Sequence, residues 1–473
     1  LKLSFPDAGY AELSEIRQAL DDFKKSKKFV YSYSNDCSQK AYYLASVSDS
    51  MFLNSNAVME LTGLSTEIMF FKNFGEKYGI DFEVIRHGKY KSAVEPYIRE
   101  NLSEEYRTQL TELLNNTWAK VSSDIISSRE LSQEIFKLST DSLYGFIPEL
   151  SLQNKLVDKL LNESEYDEII RKKTGITKED KVNKITLAQY KENLGLKSSE
   201  KDKIAILYAS GQIFTGKGET GVFSKTIIKQ IKKIKEDDEI KAVVVRINSP
   251  GGSANASAEI LYELEELKKK KPIIVSFSDV AASGGYYIAM AADKIYAQEN
   301  TITGSIGVLG MFPNVKKLAN NVGLTTDYVG TNVNSLYYSP TQGMTPGMKD
   351  ILTKSIEITY KKFVGVVMKG RKMTFAQVDS LGGGRVWSGK QAVENGLVDE
   401  IGTFNDAVIF AAKTAKLSKY SVVSYPEEKS TWESILSQIQ GQEGDDVQSR
   451  ITEGILKKEL GADNYRLYQK VKN

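Results

Sequence analysis

VYSYSNDCSQKAYYLASVSDS at residues 30–50 and IVSFSDVAASGGYYIAMAADK at residues 274–294 are two versions of one pattern. The offset between them is 244 residues, and it holds without a gap from residue 1 to about residue 63. Identical pairs at this spacing include Pro6 and Pro250, Glu15 and Glu259, Leu20 and Leu264, Tyr42 and Tyr286, Asp49 and Asp293, and Gly63 and Gly307. Farther on the offset drifts to 241, where KLVDK around Leu156 matches GLVDE around Leu397. Self-similarity at a fixed period over this length makes the chain a tandem of two like units.

Each unit alternates between two kinds of segment. Residues 242–247 are an apolar, β-branched run that reads as a buried strand. Residues 256–270 carry Ile260, Leu264 and Leu267 at helical spacing and end in lysines, as helix C-termini prefer. A second strand follows at 272–277, then a helix of small residues at 283–292. Strand–helix–strand–helix order predicts α/β units with largely parallel sheets. The second copy opens with a further strand-like run, KIAILYASGQIF from Lys203, for which the first copy has no counterpart, because residue 1 already aligns with Val245. The first unit is therefore expected to be N-terminally truncated. The division that follows is 1–162 for the first unit, 163–201 for a charged linker with local helices, 202–424 for the second unit, and 425–473 for a polar, mostly helical tail.

Composition narrows the chemistry. At 473 residues the chain exceeds one ordinary core. Its 63 basic and 61 acidic residues are interspersed, which gives no reason to expect a nucleic-acid partner. Cys37 is the single cysteine and His87 the single histidine, so an intrachain disulfide is excluded, and a zinc site of those ligands nearly so. No metal is expected. No run reaches the roughly 18 apolar residues of a membrane span.

Two turns stand out. SPGGS at 249–253 lies between a strand and a helix, and its glycines allow backbone N–H groups to approach developing negative charge. DVAASGGYYIA at 279–289 places Ser283 after a strand and before a helix, with Gly284 and Gly285 behind it. A hydroxyl presented there has an adjacent N–H as oxyanion donor, although a serine in that place is also a common helix N-cap. SPGG, then SDVAASGGYYIA, then TGSIGV at 303–308 together resemble the signal peptide peptidase A (protease IV) family in its long tandem-repeat bacterial form, which is related to the Clp protease and crotonase folds.

The resemblance implies tandem crotonase/Clp-protease-like units and a serine endopeptidase with a Ser/Lys dyad. Ser283 would be the nucleophile. Lys91, in GKYKSAVEPY from Gly88, matches the family's catalytic lysine, and Ser305 would orient it. Backbone N–H groups of Gly251 or Gly252, and of Gly284, would hold the oxyanion. No cofactor is implied. The implied substrates are remnant signal peptides and other hydrophobic peptides at the bacterial cytoplasmic membrane. The catalytic part would face outward to the periplasm, held by a span upstream of residue 1. The implied assembly is a ring-like homo-oligomer, a tetramer. A lysine base must be neutral, so its pKa must fall from about 10.4 toward 7–8, by burial or by a positive neighbour. Lys89 is the only nearby cation in the sequence, and His87 is the rival base.

The repeat supplies an independent check. Ser283 corresponds to Gln39, Gly251 and Gly252 to Asp7 and Ala8, and Gly284 to Lys40. Lys91 corresponds to Val333. The losses are complementary, so one composite site can be built, with serine from one copy and lysine from the other. The competing expectations are a crotonase-type acyl-CoA enzyme, which needs an acid–base carboxylate and a nucleotide pocket, and a non-catalytic scaffold.

Overall fold

A computed structural model describes residues 1–177, 182–187, 189–190 and 200–426. The tail expected over 425–473 lies outside them from residue 427 onward, as does part of the linker stretch. The first copy runs α1 (Tyr10–Lys25), β1 (Tyr31–Ser34), α2 (Gln39–Ala45), β2 (Ser50–Leu53), β3 (Asp81–Arg86), α3 (Glu104–Arg129), β4 (Lys159–Leu160) and α4 (Glu163–Thr174). β1, β2 and β4 pair in parallel in that order. Leu13, Tyr42, Met51, Leu53, Val121 and Ile125 form the core beside them. α4 falls in the stretch read as linker. It opens with a capping box between Asn162 and Glu165 and lays Tyr166 against Tyr33, with ring centroids 5.2 Å apart.

The second copy runs β5 (Lys203–Ser210), α5 (Ser224–Glu236), β6 (Ile240–Ser249), α6 (Ala254–Lys268), β7 (Ile273–Ala282), α7 (Gly284–Ile288), β8 (Lys294–Ala297), β9 (Ile302–Gly304) and β10 (Leu309–Asn314). It continues through α8 (Pro346–Arg371), β11 (Val386–Ser388), β12 (Glu400–Ile401), α9 (Phe404–Thr414) and β13 (Ser421–Tyr425). Its sheet has the order β11-β9-β7-β6-β5-β13, with β8 paired to both β7 and β12. Every pairing is parallel except β11 on β9. The apolar run in β6 does not alternate because both faces are covered. Val243, Val245 and Ile247 join the cluster under α5 and α6, while Ala242 and Val244 join the one under α9. α6 starts where Ser253 accepts a bond from the Ala256 N–H, and it buries Ile260, Leu264 and Leu267.

Two contacts lock the copies together. β3 of the first pairs antiparallel with β10 of the second, from Asp81 opposite Asn314 to Arg86 opposite Leu309. The N-terminus of α1 is capped by Asp279 of β7, whose carboxylate accepts from the N–H groups of Gly9, Ala11 and Glu12 at 3.0–3.2 Å. β6, β7 and β9 end together at Ser249, Ala282 and Gly304, and the turns at the C-terminal ends of parallel strands are where such sheets carry their sites. Among the described residues no helix is long and apolar enough to cross a membrane.

Candidate active site

The chain turns sharply at Ser283, between β7 and α7. Its backbone has φ 52° and ψ −118°, a region that costs a side-chain-bearing residue about 1–3 kcal/mol. The turn is fixed by the Ser283 N–H donating to Gly304 O at 2.9 Å and by Ser283 O accepting from the Tyr287 N–H at 2.8 Å. Ser283 is therefore the residue before the helix, not its first residue. Its hydroxyl makes no capping bond, so the N-cap alternative does not describe it.

Gly251 and Gly252 face this turn from the end of β6. A Cβ on Gly251 would lie 2.5 Å from the Gly284 nitrogen and 2.8 Å from Ser283 Cβ, and Gly251 has φ 92°. Only glycine allows the two turns to approach so closely. The Gly251 N–H donates to Ser249 Oγ at 3.2 Å. The N–H groups of Gly252 and Gly284 have no partner among the described residues. Of the three glycines singled out in the sequence, Gly252 and Gly284 thus offer free donors beside Ser283, and Gly251 supplies the close approach.

Lys91 arrives from the first copy, just beyond β3. Its Nζ lies 3.1 Å from Ser283 Oγ, 2.9 Å from Ser305 Oγ and 3.0 Å from Ser305 O. The three residues proposed from sequence are thus brought into one hydrogen-bonded cluster. The Lys91 side chain is 8% exposed, and burial lowers its pKa to about 8. Lys89 does not contribute: its side chain is exposed and pairs with Glu105 at 3.4 Å. His87 is engaged elsewhere. Its Nδ1 lies 2.7 Å from a Glu357 oxygen, and its ring stacks on Tyr360 at 3.6 Å.

The wall behind Lys91 was not found by sequence reasoning. A Cβ on Gly384 would fall 2.6 Å from Lys91 Cα, and Gly383 O accepts from the Tyr90 N–H at 3.1 Å. The three consecutive glycines at 382–384 were the available signal. α3 braces this wall, since Gln109 Oε1 accepts from the Val386 N–H at 3.2 Å and Glu112 pairs with Arg385 at 2.8 Å. The cluster opens into a cleft of about 910 Å³. Leu110, Val308, Leu309, Phe363 and Val386 give it apolar walls, and no Asp or Glu among the described residues lines it.

Comparison with known proteins decides the family. The sequence pattern described as "Peptidase family S49" matches residues 22–177 and again 265–418, once in each copy. The chain belongs to peptidase family S49. A Clp protease pattern also matches residues 196–303, in agreement with the parallel α/β architecture. The S49 chain is 33% identical over 447 residues to Protease 4 of Salmonella typhi, covering 93% of this chain and 72% of that one. It is 36% identical over 418 residues to Protease 4 of Haemophilus influenzae, covering 85% and 68%. A chloroplastic serine protease SPPA of Arabidopsis thaliana is 31% identical over 453 residues, covering 91% and 65%. The S49 chain is accordingly a serine protease, and the acyl-CoA and scaffold expectations are set aside.

Proposed function

We propose that the chain hydrolyses hydrophobic peptides through an acyl-enzyme on Ser283, with Lys91 as general base and acid. The observation that carries this reading is the 3.1 Å approach of Lys91 Nζ to Ser283 Oγ in a site where burial alone brings the amine to about 8. A neutral amine has two N–H bonds and one lone pair. Ser305 O can only accept, and Ser305 Oγ lies on the same side, so both N–H bonds are taken up there. The lone pair is left for the Ser283 hydroxyl. Ser305 thereby orients the base.

In the first step Ser283 Oγ bonds to the peptide carbonyl carbon, and its proton passes to Lys91. The oxyanion forms beside the Gly252 and Gly284 N–H groups. Collapse breaks the C–N bond as Lys91 returns the proton to the leaving amine. Water then attacks the ester by the reverse proton route, releasing the acid and restoring Ser283. No cofactor enters this sequence.

The apolar cleft walls support hydrophobic peptides as substrates, with remnant signal peptides at the bacterial cytoplasmic membrane as the class named by the sequence resemblance. The same resemblance supports an outward-facing catalytic part and a homo-oligomer. The test is labelling by an activated-serine probe together with hydrolysis of a hydrophobic peptide. Both should be abolished in Ser283→Ala and in Lys91→Ala. Retained labelling in Ser283→Ala would move the nucleophile elsewhere.

A further inference from the structure

A second cavity, of about 370 Å³, lies beside the cleft between α6 and α8. We propose that this trough is a subsite for one large apolar side chain of the substrate peptide, two to four residues from the scissile bond. The proposal rests on the peptidase reading above and specifies where part of the substrate goes.

Continuity argues for a peptide as occupant. Ala258, Tyr287 and Lys362 line both the trough and the cleft, so the two spaces share a wall. That wall is firm, because the Tyr287 ring packs edge-on against Phe363 at 5.1 Å. The trough then follows both helices over eight residues, or seven steps of rise, from Ala258 to Glu265 on one side and from Lys362 to Lys369 on the other. At 1.5 Å per residue this is about 10 Å. Tyr287 itself stands one helical turn beyond Ser283. An extended peptide advances about 3.3 Å per residue, which sets the distance from the scissile bond.

The lining argues for an apolar side chain. Leu261 and Met290 are buried beneath it, at 5% and 7% exposure. Of the three charged residues on its rim, Lys369 and Glu265 satisfy each other at the far end, Nζ lying 2.7 Å from a Glu265 oxygen, and Lys362 stands at the end shared with the cleft.

Gly365 is the most telling residue. It sits inside a 26-residue helix, where glycine costs about 1 kcal/mol relative to alanine. A Cβ built on it meets nothing within 4 Å, so no neighbour requires the glycine. Its missing side chain keeps the trough open.

The test moves a single phenylalanine, one position at a time, through a glycine–serine peptide whose cleavage site is fixed. kcat/KM is measured for the wild type, Gly365→Trp, Gly365→Leu and Gly365→Ala, each normalised to active sites counted with an irreversible serine probe. In the wild type one distal position should raise kcat/KM about tenfold, the order of discrimination an apolar pocket supplies. Gly365→Trp and Gly365→Leu should erase the preference at that position alone, and Gly365→Ala should keep it. Leucine is a good helix former, so its variant carries the result if tryptophan prevents folding. A wild type with no distal preference overturns the subsite, as does a uniform loss at every position in the filled variants. Probe labelling of Ser283 with no peptide cleaved in the wild type overturns the peptidase reading, and the subsite falls with it.

Discussion

Position 39 in the first copy and position 283 in the second are the same place in the repeat, built to opposite ends. At position 283 the backbone is held at φ 52° and the hydroxyl faces a cleft. At position 39 the helix starts conventionally, with Ser38 accepting from the Ala41 N–H. The Gln39 amide fills the space. It accepts from the N–H groups of Thr62 and Gly63 and donates to Tyr10 Oη and Gly63 O, all at 2.9–3.0 Å. The framework around both places is nevertheless the same. Tyr42 Oη donates to Leu156 O at 3.1 Å, and Tyr286 Oη to Leu397 O at 2.8 Å. Arg129 pairs with Asp158 at 2.8 Å, and Arg371 with Asp399 at 2.7 Å. α3 and α8 are each 26 residues long and end on a left-handed residue, Glu130 and Lys372. The residues that hold the scaffold and those that do chemistry are therefore separable. Of these two equivalent places, the strained turn and the open cleft belong to position 283.

The sharpest way to break this contrast is at the dyad. Ser283→Ala and Lys91→Ala should each lower kcat/KM on a peptide ester by about 10⁴-fold or more, and the double variant should lose little beyond either single. Near wild-type turnover by Lys91→Ala would falsify the base assignment. The pH profile is the next largest effect. Lys91 works only when neutral, so kcat/KM should rise through an apparent pKa of about 8 and fall about tenfold per unit on the acid side. A profile flat from pH 5 to 9 would break the reading.

The same burial should appear as a stability cost. The folded-state pKa of about 8 lies below the ordinary 10.5, so the unfolded chain binds more protons between those values. The penalty is complete below about pH 8 and fades as pH rises toward 10.5. Lys91→Met should therefore raise the unfolding free energy by about 3 kcal/mol at pH 7 and by little at pH 10.5, as read by denaturant titration. A pH-independent difference would trace the effect to packing. At the other corner, Gln39→Ala should cost about 1–3 kcal/mol by stranding the Thr62 and Gly63 N–H groups, with turnover per folded molecule unchanged. Gln39→Ser should gain no probe labelling, since Asp7 and Ala8 replace the glycines there. The smallest effect is expected from His87→Ala, with turnover within about threefold of wild type, because the ring is held by Glu357 and Tyr360.

What was legible in the sequence was what repeats or what has a period. β6, α6 and β7 follow from apolar runs and helical spacing; the structure lengthens the two strands and shifts the helix two residues toward the N-terminus. The serine–lysine pair was implied by the family resemblance, and the complementary losses between the copies agreed with it. The pairing of β3 with β10 was not legible, because it joins positions the repeat does not equate. The lowering of the Lys91 pKa could be required from chemistry, but its cause could not be located. Lys89 was the cation near it in sequence, and the structure turns that side chain outward and lowers the Lys91 pKa by burial instead. Which glycine N–H is free was likewise beyond reach, since the Ser249 hydroxyl that occupies Gly251 is seen only in three dimensions.

The distribution of the proposed dyad along the chain has a consequence for biosynthesis. Lys91 and Ser283 stand 192 residues apart, and Gly384, which packs against the Lys91 backbone, is translated later still. Chains emerge N-terminus first and fold largely in that order. A nascent chain on the ribosome thus displays Lys91 long before Ser283, and Ser283 before Gly384 has been added to the wall behind the lysine. If the proposed dyad is the reacting pair, the polypeptide lacks it through most of its synthesis. The order of translation does here what a removable propeptide does in proteases that must be kept silent until they are complete.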